Sequence, residues 1–423
     1  MSRCALDAGE QDHRVRTGRG AARPVRGGPV RGSLRRVRLA GVRHALVRNA
    51  LRRGRGVGAF LLVRGARRGG AGGSEAAAWH PLRPVEPRRR AGASEGCSAA
   101  KGPRGSDRAG QGGERGVVVT SPSLRACVYG ARGSLPNPVA STARYGGATT
   151  CLGVFTPDGI PIVFDAGSGL FDLGLELRHH KGPRELHVLF THTHWDHVLA
   201  LPFFEPLYDP SWTVHLHSLR GRLDPVRDIF VGSYGKRYIP VPLEQIGAKV
   251  TVHELDFFDE VRIGSSTVRC CRANHPGYAL GFRVEHGDRS LFFASDAALF
   301  EDMLFEDRYH TRQRETCPEV LEEMRGLQQR MEDLVRGVDL LLFDANYTDD
   351  EYEALFHYGH ASMSHAYDLA RRCGVPHVVF WHHDRGRTDD EVDAITKPYV
   401  ERGQQEGLVV EGARQGTWYE LKL

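Results

Sequence analysis

No apolar run in the chain approaches the ~20 residues a membrane span needs. The longest in its first part, Val57 to Val63, is flanked by arginines on both sides. Met1–Glu10 lacks the basic start and apolar stretch of a secretory signal. The eight cysteines form no CxxC pair and no regular spacing, which argues against both a zinc ribbon and a disulfide scaffold. These absences predict a soluble, cytoplasmic protein with reduced thiols and no membrane partner.

Lysine and aromatic residues are nearly missing from residues 1–115, where Lys101 is the one lysine. That stretch holds 26 basic and 8 acidic residues, a balance of +18, and the remainder holds 31 and 44, a balance of −13. The overall +5 describes neither part and excludes a uniformly basic nucleic-acid binder. Rich in Arg, Gly, Ala and Pro, residues 1–115 are predicted to be a disordered extension, because they cannot bury enough surface to offset their ordering entropy. Three readings compete for it: a nucleic-acid-binding tail, a targeting segment, and an unstructured extension from an over-extended start in a G+C-rich gene. The last is preferred, and residues 116–423 are expected to form the folded domain.

In that domain short β-rich runs alternate with Gly/Pro/Asp loops. They are Ile160–Phe164, Leu186–Phe190, Leu280–Val284, Leu291–Ala294, Leu340–Phe343 and Val378–Trp381. A helix is predicted over about Pro318 to Arg336, opened by a Thr316/Glu319 capping box and ended by Gly337. Its stripe of Val320, Met324, Leu327, Met331 and Leu334 reads as core packing in preference to a homodimer seam. A second helix, about Met363 to Cys373, follows Ser362 as N-cap.

The strongest chemical signal is Thr191-His192-Thr193-His194-Trp195-Asp196-His197, where the run Leu186–Phe190 meets a loop. Three imidazoles and a carboxylate in six residues would each need a buried partner if structural. As metal ligands they suit a dinuclear centre, with His192 and His194 at one ion and Asp196 and His197 at a second. Asp165, Asp296 and His382 each follow directly or closely on an apolar strand, and His275 stands in Ala-Asn-His-Pro-Gly-Tyr. Strands ending in polar residues are how a sheet gathers distant ligands at one edge. His215 and His217 also share a strand face, but no carboxylate or third ligand stands near them in sequence, so a metal role is not assigned.

From about Cys127 to the C-terminus this pattern resembles the metallo-β-lactamase superfamily, whose five motif positions are filled in order. The resemblance implies a four-layered αββα sandwich of the α+β class with two divalent metal ions. It implies His192, His194 and His275 at one ion, Asp196, His197 and His382 at the other, Asp296 between them, and Asp165 orienting the site. His383 is the rival to His382, which is preferred because it leaves the strand directly. Zinc is expected from the ligand types, and such sites also accept manganese or iron.

The segments Tyr129–Pro136, Arg144–Thr150, Asp344–Thr348 and Gly359–Ser362 resemble the phosphodiesterase-like branch, which includes phosphoribosyl cyclic phosphodiesterases and tRNase Z. That implies attack of a metal-bridging hydroxide on a phosphodiester, held by Asp196 and Asp296, with His360 assisting the leaving group. His360 would stand beside the N-terminus of the helix from Met363, which favours an anion. Arg132 is read either as a phosphate contact or as part of a tight turn. The Pro-rich stretch Phe203 to Ile246 is read as the cover of the site. No cysteine cluster exists for the extra zinc of some cyclic phosphodiesterases, and no long Gly/Pro-rich arm is seen for tRNA. The net acidic body is a poor match for a polyanion, so a small phosphodiester, cyclic phosphate or cyclic nucleotide is the expected substrate, and nucleic acid is not expected on the folded domain. The alternatives are a thioester or lactone hydrolase, an RNA 3′-end-processing nuclease, and a non-catalytic binding protein.

Overall fold

The computed structural model describes residues 123–221, 245–305, 310–312 and 317–423. The extension expected over 1–115 and most of the proline-rich stretch after Gly221 lie outside them. Short β-prone runs, several of them apolar and buried on both faces, build sixteen strands among the described residues. The first six are β1 (Ser123–Gly130), β2 (Cys151–Phe155), β3 (Pro161–Phe164), β4 (Glu185–Leu189), β5 (Thr213–Leu219) and β6 (Lys249–Leu255). Next come β7 (Glu260–Ile263), β8 (Ser266–Ala273), β9 (Ala279–His286), β10 (Arg289–Ala294), β11 (Met303–Phe305) and β12 (His310–Arg312). The last are β13 (Leu340–Asp344), β14 (His377–Trp381), β15 (Val409–Gly412) and β16 (Trp418–Lys422). Each of the six apolar runs read from the sequence is one of these strands.

Two seven-stranded sheets form, in the orders β16-β1-β2-β3-β4-β5-β6 and β15-β14-β13-β10-β9-β8-β7. Between them lies a core in which Phe164 meets Phe282 and Phe293 at ring-centroid distances of 5.1 and 5.6 Å. Each such fully buried ring contributes about 1.5–3 kcal/mol over exposure. Helices cover both outer faces. The first sheet buries Val163, Val188 and Leu216 with Leu170, Leu173 and Leu177 of α1 (Leu170–Leu177). The chain then makes the short α2 (Trp195–Val198).

On the far side α3 (Pro318–Val335) packs Met324 and Met331 onto the second sheet, with Val320, Leu327 and Leu334 against the same core. The predicted stripe is therefore a packing face. Its N-cap is Cys317 and makes no side-chain cap bond, whereas the capping box had been expected to start at Thr316, outside the described residues. The chain continues through α4 (Asp349–Leu355), α5 (Met363–Arg372) and α6 (Asp389–Glu406). In α5 the Ser362 hydroxyl accepts from His365 N, the N-cap its sequence predicts. The result is the expected α+β, αββα sandwich. No helix among the described residues is long and apolar enough to cross a membrane.

The topology sets up a site. Strands β3 and β4 run parallel, as do β10, β13 and β14, and β8 runs with them through two antiparallel pairings. The carboxyl ends of six strands from two sheets therefore converge on one rim of the sandwich.

Candidate metal centre

Every ligand candidate leaves that rim. Asp165 follows β3, His192 to His197 follow β4, His275 follows β8, Asp296 follows β10 and His382 follows β14. Asp165 and His382 hold left-handed backbone angles, φ +62 and +60. For non-glycine residues these cost ~1–3 kcal/mol and persist where the surroundings over-determine them. Gly133 is required here too, because a Cβ on it would lie 2.3 Å from the His382 ring.

The ring nitrogens His192 Nε2 and His275 Nε2 stand 2.9 and 3.1 Å from His194 Nδ1. Both lie 3.8 Å from Asp296 Oδ2. On the other side His197 Nε2 is 3.3 Å from Asp196 Oδ2 and 3.2 Å from Asp296 Oδ1. His382 Nε2 lies 3.7 Å from Asp196 Oδ2 and 3.2 Å from Asp296 Oδ2. Asp296 thus touches both groups of imidazoles. His194 stands exposed at the mouth and the other six are buried.

The outer atoms are tied down. His275 Nδ1 donates to the Gly359 carbonyl at 2.8 Å. His197 Nδ1 donates to Asp165 Oδ2 at 2.9 Å, and Asp165 also accepts from Thr191 N and Oγ1 at 2.7 and 2.8 Å. Fixing the far ring nitrogen in this way aims Nε2 inward. Ser134 N donates to Asp196 Oδ2 at 2.7 Å.

The inward atoms behave as a cation site would require. His197 Nε2, His382 Nε2 and Asp296 Oδ1 are buried with no hydrogen-bond partner, and such orphans are rare in a folded interior. Burial opposes charge on His382, yet the carboxylates of Asp296 and Asp196 outweigh it and push the imidazole up to about 10. His197 is raised against its own burial by Asp296, Asp196 and Asp165. Asp296 and Asp196 resist burial and are held below the usual carboxylate range, chiefly by His382 and His197 for the first and by His197 for the second. This pocket stabilises positive charge between carboxylates, and its nitrogen and oxygen donors fit zinc, manganese or iron.

His383 does not join the cluster. Its Nε2 donates to the Ala413 carbonyl at 2.9 Å and its ring packs edge-on against Tyr145. Arg132 does not face a phosphate either. It is buried, and its guanidinium donates to the carbonyls of Gly146, Asp384 and Arg387, so the structural reading holds.

His360 lies two residues before the N-cap of α5, and its Nδ1 donates to Asp344 Oδ2 at 2.8 Å. Its ring stacks on His382 at 4.5 Å. It lines a cavity of about 490 Å³ with His194, Asp196, Asp296, Tyr347 and Arg385, a size that suits a small ligand. Asp344, which also accepts from Ala297 N and Asn346 N, was missed as a site residue. The signal was present, since Phe343-Asp344-Ala345 repeats the strand-end carboxylate of Phe164-Asp165-Ala166. Asn346, whose amide lies 2.8 Å from His382 Nδ1, was missed with it.

Residues 161–312 match a family model described as "Beta-lactamase superfamily domain". Uncharacterized proteins of Mycobacterium tuberculosis and Mycobacterium bovis are 27% identical over 238 residues, 55% of this chain and 70% of theirs. Among solved structures, the metallo-β-lactamase fold protein YhfI from Bacillus subtilis is 16% identical, with TM-score 0.48, covering 71% of this chain and 100% of its own. Human tRNase Z, short form, has TM-score 0.47 and 16% identity, covering 71% of this chain and 100% of its own.

Proposed function

We propose that this chain, whose residues 161–312 match the beta-lactamase superfamily domain model, is a dinuclear-metal hydrolase of the metallo-β-lactamase type that cleaves a small phosphodiester, a cyclic phosphate or cyclic nucleotide. In this reading His192, His194 and His275 hold one divalent ion, and Asp196, His197 and His382 hold the second. Asp296 reaches both and Asp165 positions His197. Two such ions would supply Lewis acidity and a water of lowered pKa.

The observation that carries the phosphodiester reading is His360. With Nδ1–H engaged by Asp344, Nε2 is the ring nitrogen left to act in the cavity. A proton held there serves the leaving oxygen, as general-acid catalysis requires. Arg385, exposed on the same cavity, supplies a positive charge for an anionic substrate. Tyr347, edge-on to His360 at 5.8 Å, supports that ring from the side. Thioester or lactone cleavage would need the ligands but not this histidine. The test compares wild type and His360→Ala on a small cyclic phosphodiester and on a thioester. Loss of phosphodiester turnover of ~10²–10⁴-fold is expected, with little loss on the thioester. Equal effects on both, or thioester turnover alone, would contradict the reading.

A further inference from the structure

A second group of histidines lies on the strand faces below the rim, with His187 about 10 Å of strand before Phe190 at ~3.3 Å per residue. His187 of β4 sits in register with His215 of β5, and His217 of β5 with His253 of β6. Neighbouring strands are ~4.8 Å apart, so the paired rings stack, with centroids 4.4 and 4.5 Å apart. Glu185 shares this face of β4, two residues before His187. Its Oε1 is 3.3 Å from His187 Nε2 and 3.6 Å from His215 Nε2. The carboxylate and third ligand missing near His215 and His217 in the sequence are thus brought in by strand pairing.

The 3.3 Å spacing is at the long end of a hydrogen bond and the 3.6 Å spacing is beyond one, since N–H···O runs about 2.7–3.2 Å. They suit donors around one tetrahedral ion, where bonds of about 2.0–2.1 Å place donors about 3.3 Å apart. The far nitrogens are anchored as ligand imidazoles require. His187 Nδ1 lies 3.0 Å from His217 Nε2, and His215 Nδ1 lies 2.9 Å from His253 Nε2. With the Nδ1 atoms donating to those acceptors, both Nε2 lone pairs face Glu185. His187 is buried, whereas the Glu185 side chain is 44% exposed, so a cation can enter from its side.

We propose that Glu185, His187 and His215 form a further divalent-cation site, separate from the rim, with His217 and His253 positioning the two imidazoles. A bound ion would clip β4 to β5, and the fourth position is left to water. A two-histidine, one-carboxylate set takes Zn²⁺, with Co²⁺ as a spectroscopic substitute.

The full chain is loaded with Zn²⁺, dialysed, and its metal content measured for wild type, Glu185→Gln, His215→Ala and Asp296→Ala. Glu185→Gln and His215→Ala each lose one equivalent relative to wild type and keep hydrolytic turnover within about twofold. In Co²⁺-loaded protein the same two variants lose the visible band of one tetrahedral ion. A metal content and Co²⁺ spectrum unchanged in both variants overturn the site. Glu185→Gln alters a half-exposed side chain, so it reads the site even if His215→Ala folds poorly. The Asp296→Ala count reports on the rim alone and keeps the two assignments separate.

Discussion

Two histidine clusters stand out, one at strand ends of both sheets and one on strand faces of the first sheet, and their carboxylates differ most. At the rim Asp296 is 3% exposed, carries a buried oxygen with no partner and contacts imidazoles on two sides. On the face Glu185 is half in solvent and contacts two imidazoles on one side. A buried, unsatisfied carboxylate is tolerable only where a cation neutralises it, whereas an exposed one is stable without. The rim should therefore depend on its ions, and the strand-face cluster should bind metal more weakly and survive its removal.

That contrast can be broken, beginning where the effect is largest. Asp296→Ala removes the one carboxylate common to both groups of imidazoles. Turnover should fall by more than ~10³-fold with loss of both rim ions, measured by steady-state kinetics and metal analysis. Activity that survives would mean the centre does not use Asp296. Next, Asp165→Asn leaves His197 unanchored, and metal affinity or turnover should drop ~10–100-fold. Titration with a chelating competitor checks this, and unaltered affinity would make Asp165 a purely structural residue.

Smaller effects concern the strand-face cluster without metal. Burial lowers His217 to about 2, with His187, His253 and His215 adding to the shift. The unfolded chain, with a histidine near 6.5, binds a proton that the folded chain refuses between those values. Stability of the metal-stripped protein should therefore fall as pH drops below 6.5, by about 1.4 kcal/mol per unit for this group. Urea midpoints at pH 7 and pH 5.5 measure it, and His217→Gln should flatten the slope. An equal slope in the variant would assign the loss to other groups.

The two clusters also differ in how legible they were. His192, His194, Asp196 and His197 fall within six consecutive positions, so their chemistry stands out without a fold. Asp165, Asp296 and His382 were readable because apolar strands end on them. The strand-face cluster draws on three strands, and its meaning rests on register, which no single strand displays. Asp344 was hidden differently: it ends a strand as Asp165 and Asp296 follow theirs, but its partner is another side chain, His360. Arg132 was open because a turn and a phosphate contact ask for the same local sequence, and only distant carbonyls at 384 and 387 decide between them. Strand positions, by contrast, follow from apolar runs that each segment carries by itself, whereas the αββα layering came only from the family resemblance.

The chemistry proposed for the rim is metal-dependent phosphodiester hydrolysis. Its most direct measurement is turnover of bis(p-nitrophenyl) phosphate by the metal-loaded chain, before and after chelation, with Asp296→Ala alongside. The expected result is turnover that is lost on chelation, restored by Zn²⁺ or Mn²⁺, and absent in the variant. No phosphodiester turnover from protein carrying both rim ions would contradict it.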